Sequence, residues 1–231
     1  MSFETIEEHD RETLTERLAE DVAARLEKAI AKRGRATLAL SGGSTPGSFM
    51  TRLGAVELDW QNVFVTLSDD RWVPPDHPRS NHRLVAETLL VGCAGAAKFV
   101  PLYQKGMDRH DAVVPLSERL TRDVLPLDVC VLGMGEDLHT ASLFPGAEGL
   151  SQALDPSCRT PLMTLMPVTI NEPRMTMTAS ALFNARQIHL LIVGERKEAA
   201  LIRACESNDV LKAPVKAILD SPSPVTIWYA P

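Results

Sequence analysis

Apolar positions along this chain follow two rhythms. From about Glu7 to Lys32, Leu14, Leu18, Val22, Leu26 and Ile30 recur every four residues with Glu, Arg and Lys between them, which predicts one amphipathic helix. Gly34 follows as its stop. Elsewhere the apolar residues come in short unbroken runs: Ala36–Leu40, Val63–Leu67, Asp128–Leu132, Ile188–Val193 and Val225–Tyr229. Such runs predict strands buried on both faces. Weaker strand signals lie at Phe99–Leu102, Leu162–Leu165 and Met175–Thr178, the last alternating with period two. Helical stretches are expected at Pro46–Leu53, Asn81–Leu90, Asp111–Asp123, Ala179–Asn184, from Lys197 to about Cys205, and near Val215–Leu219. The recurring unit is strand, loop, helix. It predicts an α/β fold with a mostly parallel, Rossmann-like sheet and helices on both faces.

The length of 231 residues suits one large domain spanning 1–231, and the apolar fraction of 45% is ordinary for a globular core. A formal net charge of −6 without a Lys/Arg cluster argues against nucleic acid or an anionic membrane as main partner. An anionic small substrate stays open, because a few placed cations dominate locally. Cys93, Cys130, Cys158 and Cys205 form no C-x-x-C pair, which points to reduced thiols and a cytoplasmic setting. The acidic N-terminus has no apolar signal region, and no apolar run reaches the roughly 18 residues that a membrane span needs.

Candidate chemistry collects just past the predicted strands, the edge where open α/β sheets bind ligands. After Ala36–Leu40 comes Ser41-Gly42-Gly43-Ser44-Thr45-Pro46, a glycine-rich loop leading into a helix. Free N–H groups and the positive helix end suit a phosphate there, and Ser44 and Thr45 add hydroxyls. A plain tight turn with a Ser or Thr cap is the alternative. After Val63–Leu67, the proline-rich stretch from Ser68 to His82 is expected as a fixed loop, not a helix. In it Arg71 offers a planar fork for phosphate, and Asp69 suits orienting a sugar hydroxyl or acting as a base. A salt-bridged loop anchored by Trp72 is the alternative. After the central strand, Gly133 and Gly135 permit a tight turn that delivers Asp137 and His139, an acid–base pair. Lys197 falls in the first turn of a helix, where a cation opposes the dipole. That conflict favours an anion nearby, with a solvated surface lysine as the alternative. Arg174 faces either the same cavity or solvent. His77 and His82 are expected to be structural or solvent-facing and His189 a packed or edge residue, and no metal-ligand spacing is seen.

The segments Ser41–Pro46, Asp69–Pro74 with Ser80-Asn81, Gly133–Gly146, Arg174–Thr178 and Gly194–Lys197 resemble, in order, the motifs of the 6-phosphogluconolactonase family, which shares a superfamily and a fold with glucosamine-6-phosphate deaminase. The resemblance spans Leu40 to about Ala200. It implies hydrolysis of 6-phospho-D-glucono-1,5-lactone to 6-phosphogluconate in the oxidative pentose phosphate or Entner–Doudoroff route, without metal or cofactor. The implied phosphate anchors are Gly43, Ser44, Thr45, Arg71, Lys197 and Arg174. The implied base is His139, with Asp137 or Asp69 orienting it, the water or the sugar hydroxyls. The implied partner is a small sugar-phosphate lactone, for a monomer or small homo-oligomer in the cytoplasm.

Two positions depart from the family pattern. Leu138 stands where Gly is usual between the Asp and the His, so it either carries positive-φ strain or narrows the pocket. Asp70 stands where a longer Glu is usual. Against the deaminase alternative, Phe144 occupies the position, five residues after the His, of that enzyme's Glu, and Arg71 replaces its Tyr. Against a sugar-phosphate sensor, the segment before Ala36 is too short for a helix-turn-helix. Ser142 lies outside any G-x-S-x-G elbow, which disfavours a serine nucleophile.

Overall fold

The structure, a computed structural model, describes residues 3–168 and 170–231, with Ser44 through its backbone alone. In chain order the elements are β1 (Phe3–Glu7), α1 (Arg11–Arg33), β2 (Ala36–Leu40), α2 (Ser44–Gly54), β3 (Val63–Leu67), β4 (Asp69–Arg71), α3 (Asn81–Thr88), β5 (Lys98–Val100), α4 (Arg109–Asp123), β6 (Val129–Gly133), α5 (Leu150–Leu154), β7 (Leu162–Leu165), β8 (Arg174–Met177), α6 (Ala179–Leu182), β9 (Ile188–Val193), α7 (Glu195–Glu206), α8 (Val215–Leu219) and β10 (Val225–Ala230).

The four-residue apolar rhythm makes α1. Asp10 caps it by accepting from the Thr13 N–H at 2.7 Å, and the Gly34 N–H returns to the Ile30 carbonyl. Leu14, Leu18, Val22 and Leu26 are fully buried. Truncating one of them to Ala removes about 2–5 kcal/mol. The helix begins four residues later than the periodicity implies, because Phe3–Glu7 is an edge strand paired with β10. Its sequence, FETIE, is half exposed and too polar to read as a buried run.

Seven strands form one parallel sheet in the order β1-β10-β9-β6-β2-β3-β5. From β2 the chain builds outward through β3 and β5. It then returns to β6 on the other side of β2 and builds outward again. Right-handed crossovers in opposite directions place helices on opposite faces. The reversal leaves a crevice between the ends of β2 and β6, where such sheets hold ligands.

A second sheet was not legible in the sequence. It is antiparallel, in the order β4-β8-β7. The expected fixed loop after Leu67 therefore opens as a strand, and Leu162–Leu165 and Arg174–Met177 belong to this small sheet. Ser68 joins the two sheets: its N–H donates to the Leu40 carbonyl and its carbonyl accepts from the Met177 N–H, both at 2.8 Å. The small sheet is thus fixed over the crevice.

Candidate active site

A cavity of about 300 Å³ opens over the ends of β2 and β6. Its floor is the loop after β2. The Ser41 N–H and hydroxyl both donate to the Val131 carbonyl, tying this loop to β6. Gly42 touches α3: a Cβ there would lie 1.9 Å from the Asn81 Oδ1, so no other residue fits without moving Asn81. Gly43 precedes α2, which starts at Ser44, two residues before the expected start. Pro46 still lies in the first turn, where its missing N–H costs nothing. The Ser44 and Thr45 N–H groups lack intrahelical partners and head the positive helix end. Thr45 and Gly43 line the cavity. The donor expected from the Ser44 hydroxyl falls on a side chain outside the described residues.

One wall comes from the small sheet. Asp69 and Arg71 on β4 lie opposite Thr176 and Arg174 on β8, and alternation brings all four to one face. Arg174 is 3% exposed. The Nε atoms of Arg71 and Arg174 are buried without hydrogen-bond partners, and both residues line the cavity. Burial, and then the Arg71 charge, pull the Arg174 guanidinium down from its ordinary value, against the opposing pull of Asp69 and Glu172. Asp69 is buried and accepts from the Ser68 and Ser142 hydroxyls at 3.1 and 2.5 Å. Ser142 is therefore a buried donor to Asp69.

Asp70 points the other way and secures α3. Its carboxylate accepts from the N–H groups of Arg71, Asn81 and His82 and from the Ser80 hydroxyl. Burial pushes it up to about 6, although those hydrogen bonds oppose the shift. Asn81 in turn donates to the Asp69 carbonyl at 2.9 Å. Asn81, which the sequence offered as part of the Ser80-Asn81 segment but without a role of its own, lines the cavity.

The acid–base pair brings its histidine to the same cavity. His139 Nδ1 lies 2.5 Å from Asp137 Oδ1. Asp137 is the outer member, exposed, whereas His139 lines the cavity. Burial raises the Asp137 carboxyl, but the hydrogen bond from His139 and its charge outweigh that and hold it below the ordinary value. With Nδ1–H donated to Asp137, Nε2 is left as the basic nitrogen. Asp69 makes its bonds elsewhere, so the aspartate in contact with His139 is Asp137. The pair sits on a tight turn in which the Leu138 N–H reaches the Gly135 carbonyl and the Gly135 N–H reaches the His139 carbonyl, both at 3.0 Å. A Cβ at Gly135 would fall 2.2 Å from His139 Nδ1 and 2.3 Å from Asp137 Oδ1. Leu138 has φ 70°, in the left-handed region, so its departure from Gly carries backbone strain. It lies off the cavity wall and packs against the core instead. Phe144 stacks on the His139 ring with centroids 4.0 Å apart.

Lys197, in the first turn of α7, completes the lining. Burial pulls its ammonium below the ordinary value, while the Glu136 charge opposes the shift. Of the expected histidines, His82 packs against Phe99, and His189 is buried in β9 against Trp228. Among the described residues, no three His, Cys, Asp or Glu side chains form a metal-ligand group.

Fold and site together mark a class: a parallel α/β protein with a polar cleft at its strand ends, lined by cationic side chains and by the histidine of an acid–base pair. The chain belongs to the glucosamine-6-phosphate isomerases/6-phosphogluconolactonase family, which residues 9–228 match. It is 48% identical over 219 residues to a 6-phosphogluconolactonase of Rhizobium meliloti, with 94% of each chain covered. It is 44% identical over 201 residues to one of Mesorhizobium japonicum, covering 87% of this chain and 84% of that one. A crystal structure of a 6-phosphogluconolactonase from Shewanella baltica superposes with a TM-score of 0.96 at 36% identity, covering 100% of this chain and 98% of that one.

Proposed function

We propose that this chain is an enzyme that hydrolyses 6-phospho-D-glucono-1,5-lactone to 6-phospho-D-gluconate, a step of the pentose phosphate pathway. The relatives that carry this activity in their name cover nearly the whole chain. The observation that carries the reading is that His139, paired with Asp137, shares one cavity with Arg71 and Arg174, whose Nε atoms are buried and unpartnered.

The substrate phosphate is held by Arg71 and Arg174 on one side and by the Gly43–Thr45 loop with Lys197 on the other. Binding energy from this remote group fixes the lactone ring against His139. Neutral His139 Nε2 takes a proton from water as its oxygen attacks the lactone carbonyl. Asp137 steadies the imidazolium that forms, and the same proton then passes to the departing ring oxygen. Asp69, held by Ser68 and Ser142, orients sugar hydroxyls. These steps use only groups of this chain, within one domain that we read as cytoplasmic, monomeric or a small homo-oligomer, with no nucleic-acid partner. Phe144 stacks on His139 where ring opening of an amino sugar phosphate requires an acid, which disfavours deamination.

The test is hydrolysis of freshly generated lactone, with the spontaneous rate subtracted, beside ammonia release from glucosamine 6-phosphate. Fast lactone loss without ammonia is expected. Ammonia release would reassign the chain to the deaminase reaction, and sugar-phosphate binding with neither reaction would make it a sensor.

A further inference from the structure

Three guanidinium groups crowd the small sheet, and one carboxylate lies among them. Glu172 Oε2 sits 3.0 Å from Nη2 of Arg174 and 3.0 Å from Nη2 of Arg79. Neither contact is aligned as a hydrogen bond, so the attraction is that of close charges. The Arg79 backbone carbonyl accepts from Arg71 Nη1 at 2.6 Å. Glu172 therefore touches Arg174 directly and reaches Arg71 through the residue that holds it. Its own position is fixed. Pro173 follows it and accepts from the Trp72 N–H at 2.9 Å, which prolongs the β4–β8 pairing by one step.

The charges explain why such a residue is needed. Arg71 and Arg174 are cross-strand neighbours, and Arg79 adds a third cation. Like charges directly opposite repel, and the low dielectric of a buried site strengthens the effect. Asp69 also attracts Arg174, but its carboxylate is held by two hydroxyls and makes no ion pair with the guanidinium groups. Without Glu172, Arg79 and Arg174 face each other with no carboxylate between them, and the buried side chain is driven off the cavity. With Glu172, Arg174 is held by one end while its Nε stays available. The cluster keeps an excess of positive charge suited to a dianion.

Resting on the phosphate-anchoring reading above, we infer that Glu172 is a positioning residue that holds Arg174, and through Arg79 also Arg71, in the geometry that receives the substrate phosphate. It touches neither the lactone carbonyl nor His139, so it governs binding of the phosphate and not the chemical step.

The experiment compares Glu172→Gln, Glu172→Asp and Arg71→Met with the parent enzyme. It reads kcat and KM on the phosphorylated lactone and on unphosphorylated glucono-1,5-lactone, and the Kd of 6-phosphogluconate by calorimetry. Glu172→Gln keeps the shape and loses the charge. It is expected to raise KM and Kd about tenfold, with kcat within about twofold and no change on the unphosphorylated lactone. Glu172→Asp keeps the charge on a shorter arm and is expected near threefold. That variant carries the test alone if Glu172→Gln does not fold. A parental Kd in the Glu172 variants, beside a clear loss in Arg71→Met, overturns the inference and leaves phosphate anchoring standing. Equal losses on both lactones in every variant, Arg71→Met included, overturn the anchoring itself.

Discussion

Arg71 and Arg174 stand directly opposite one another on β4 and β8, a like-charged pair in the partly buried wall of a cavity. A like-charged pair in a two-stranded ladder costs about 0.2–1 kcal/mol. An anion between them reverses that sign. Arg174→Met is therefore expected to remove one charge-assisted contact, about 1.5–3 kcal/mol, and to raise KM on the phosphorylated lactone about ten- to a hundredfold. Its effect on an unphosphorylated lactone should be small. In thermal melts the parent protein should gain stability on addition of 6-phosphogluconate, and Arg174→Met should lose most of that gain. An undiminished gain would remove Arg174 from the anchor.

Gly135 connects backbone space to catalysis. His139→Ala is expected to lower kcat about 10²–10⁴-fold, the usual weight of a general base, with KM little changed. Gly135→Ala leaves both functional side chains in the sequence but puts a methyl group where they meet. Displacing the pair by about 1 Å should cost on the order of 10² in kcat. The Kd of 6-phosphogluconate should hardly move, because the cationic wall is untouched. A Gly135→Ala enzyme with parental kcat would separate the dyad from the rate.

Much of this fold is written locally. Ala36–Leu40, Val63–Leu67 and Ile188–Val193 are strands at the residues where their apolar runs lie, because strands buried on both faces need no polar alternation. The dyad, the glycine-rich loop and Lys197 were legible for a related reason: each follows such a strand, and parallel topology brings those ends together. β4 was not legible. Its three residues, Asp-Asp-Arg, carry no apolar signal, and it exists through pairing with a strand about a hundred residues later. The partners of the site residues were hidden in the same way. Ser142 reaches Asp69 across 73 positions, and nothing near Asp69 in the sequence announces it. Leu138 was half legible: the family's Gly left open a positive φ or a narrowed pocket, and the residue has the positive φ with its side chain on the core and off the cavity.

Leu138 holds its strained backbone through two compensations. Its carbonyl accepts from the Val215 N–H at 3.0 Å, and its side chain packs against the core. Leu138→Gly should relieve about 1–2 kcal/mol of left-handed strain. It should lose about as much through side-chain burial and a more flexible unfolded chain. The net change in denaturant unfolding is expected within about 1 kcal/mol by that balance. Leu138→Ile keeps the burial and adds β-branching at a positive φ, so it should destabilise, by about 1–2 kcal/mol. If both variants behave alike, backbone strain is not what distinguishes this position.

His189 supplies a test of stability independent of the active site. It is fully buried in β9, where the Trp228 Nε1–H donates to its Nδ1 at 2.9 Å and its Nε2 lies 3.1 Å from Asp21 Oδ2. Arg25 also binds that carboxylate. Burial holds His189 below its ordinary 6.5, although Asp21 pulls the other way. Burial raises Asp21, yet the close His189 ring nitrogen and the Arg25 hydrogen bond prevail and bring it to about 2. A depressed histidine binds its proton in the unfolded chain before it does so in the fold. Its contribution to stability is thus complete above about pH 6.5 and declines as pH falls below that, with a slope of at most about 1.4 kcal/mol per pH unit. Asp21 acts in a separate window: its contribution is present above its ordinary 3.8 and is lost as pH falls toward about 2. Between about pH 8 and pH 5, His189 and His82, both held down by burial, cost stability on acidification, whereas Asp70, pushed up to about 6, binds its proton in the fold first and restores some, so the His189 share is the difference in acid slope between the parent and a variant. His189→Gln should melt lower at neutral pH, for lack of the packed ring, and should show a flatter acid slope. A variant that loses stability yet keeps the parental slope would place the titrating group elsewhere.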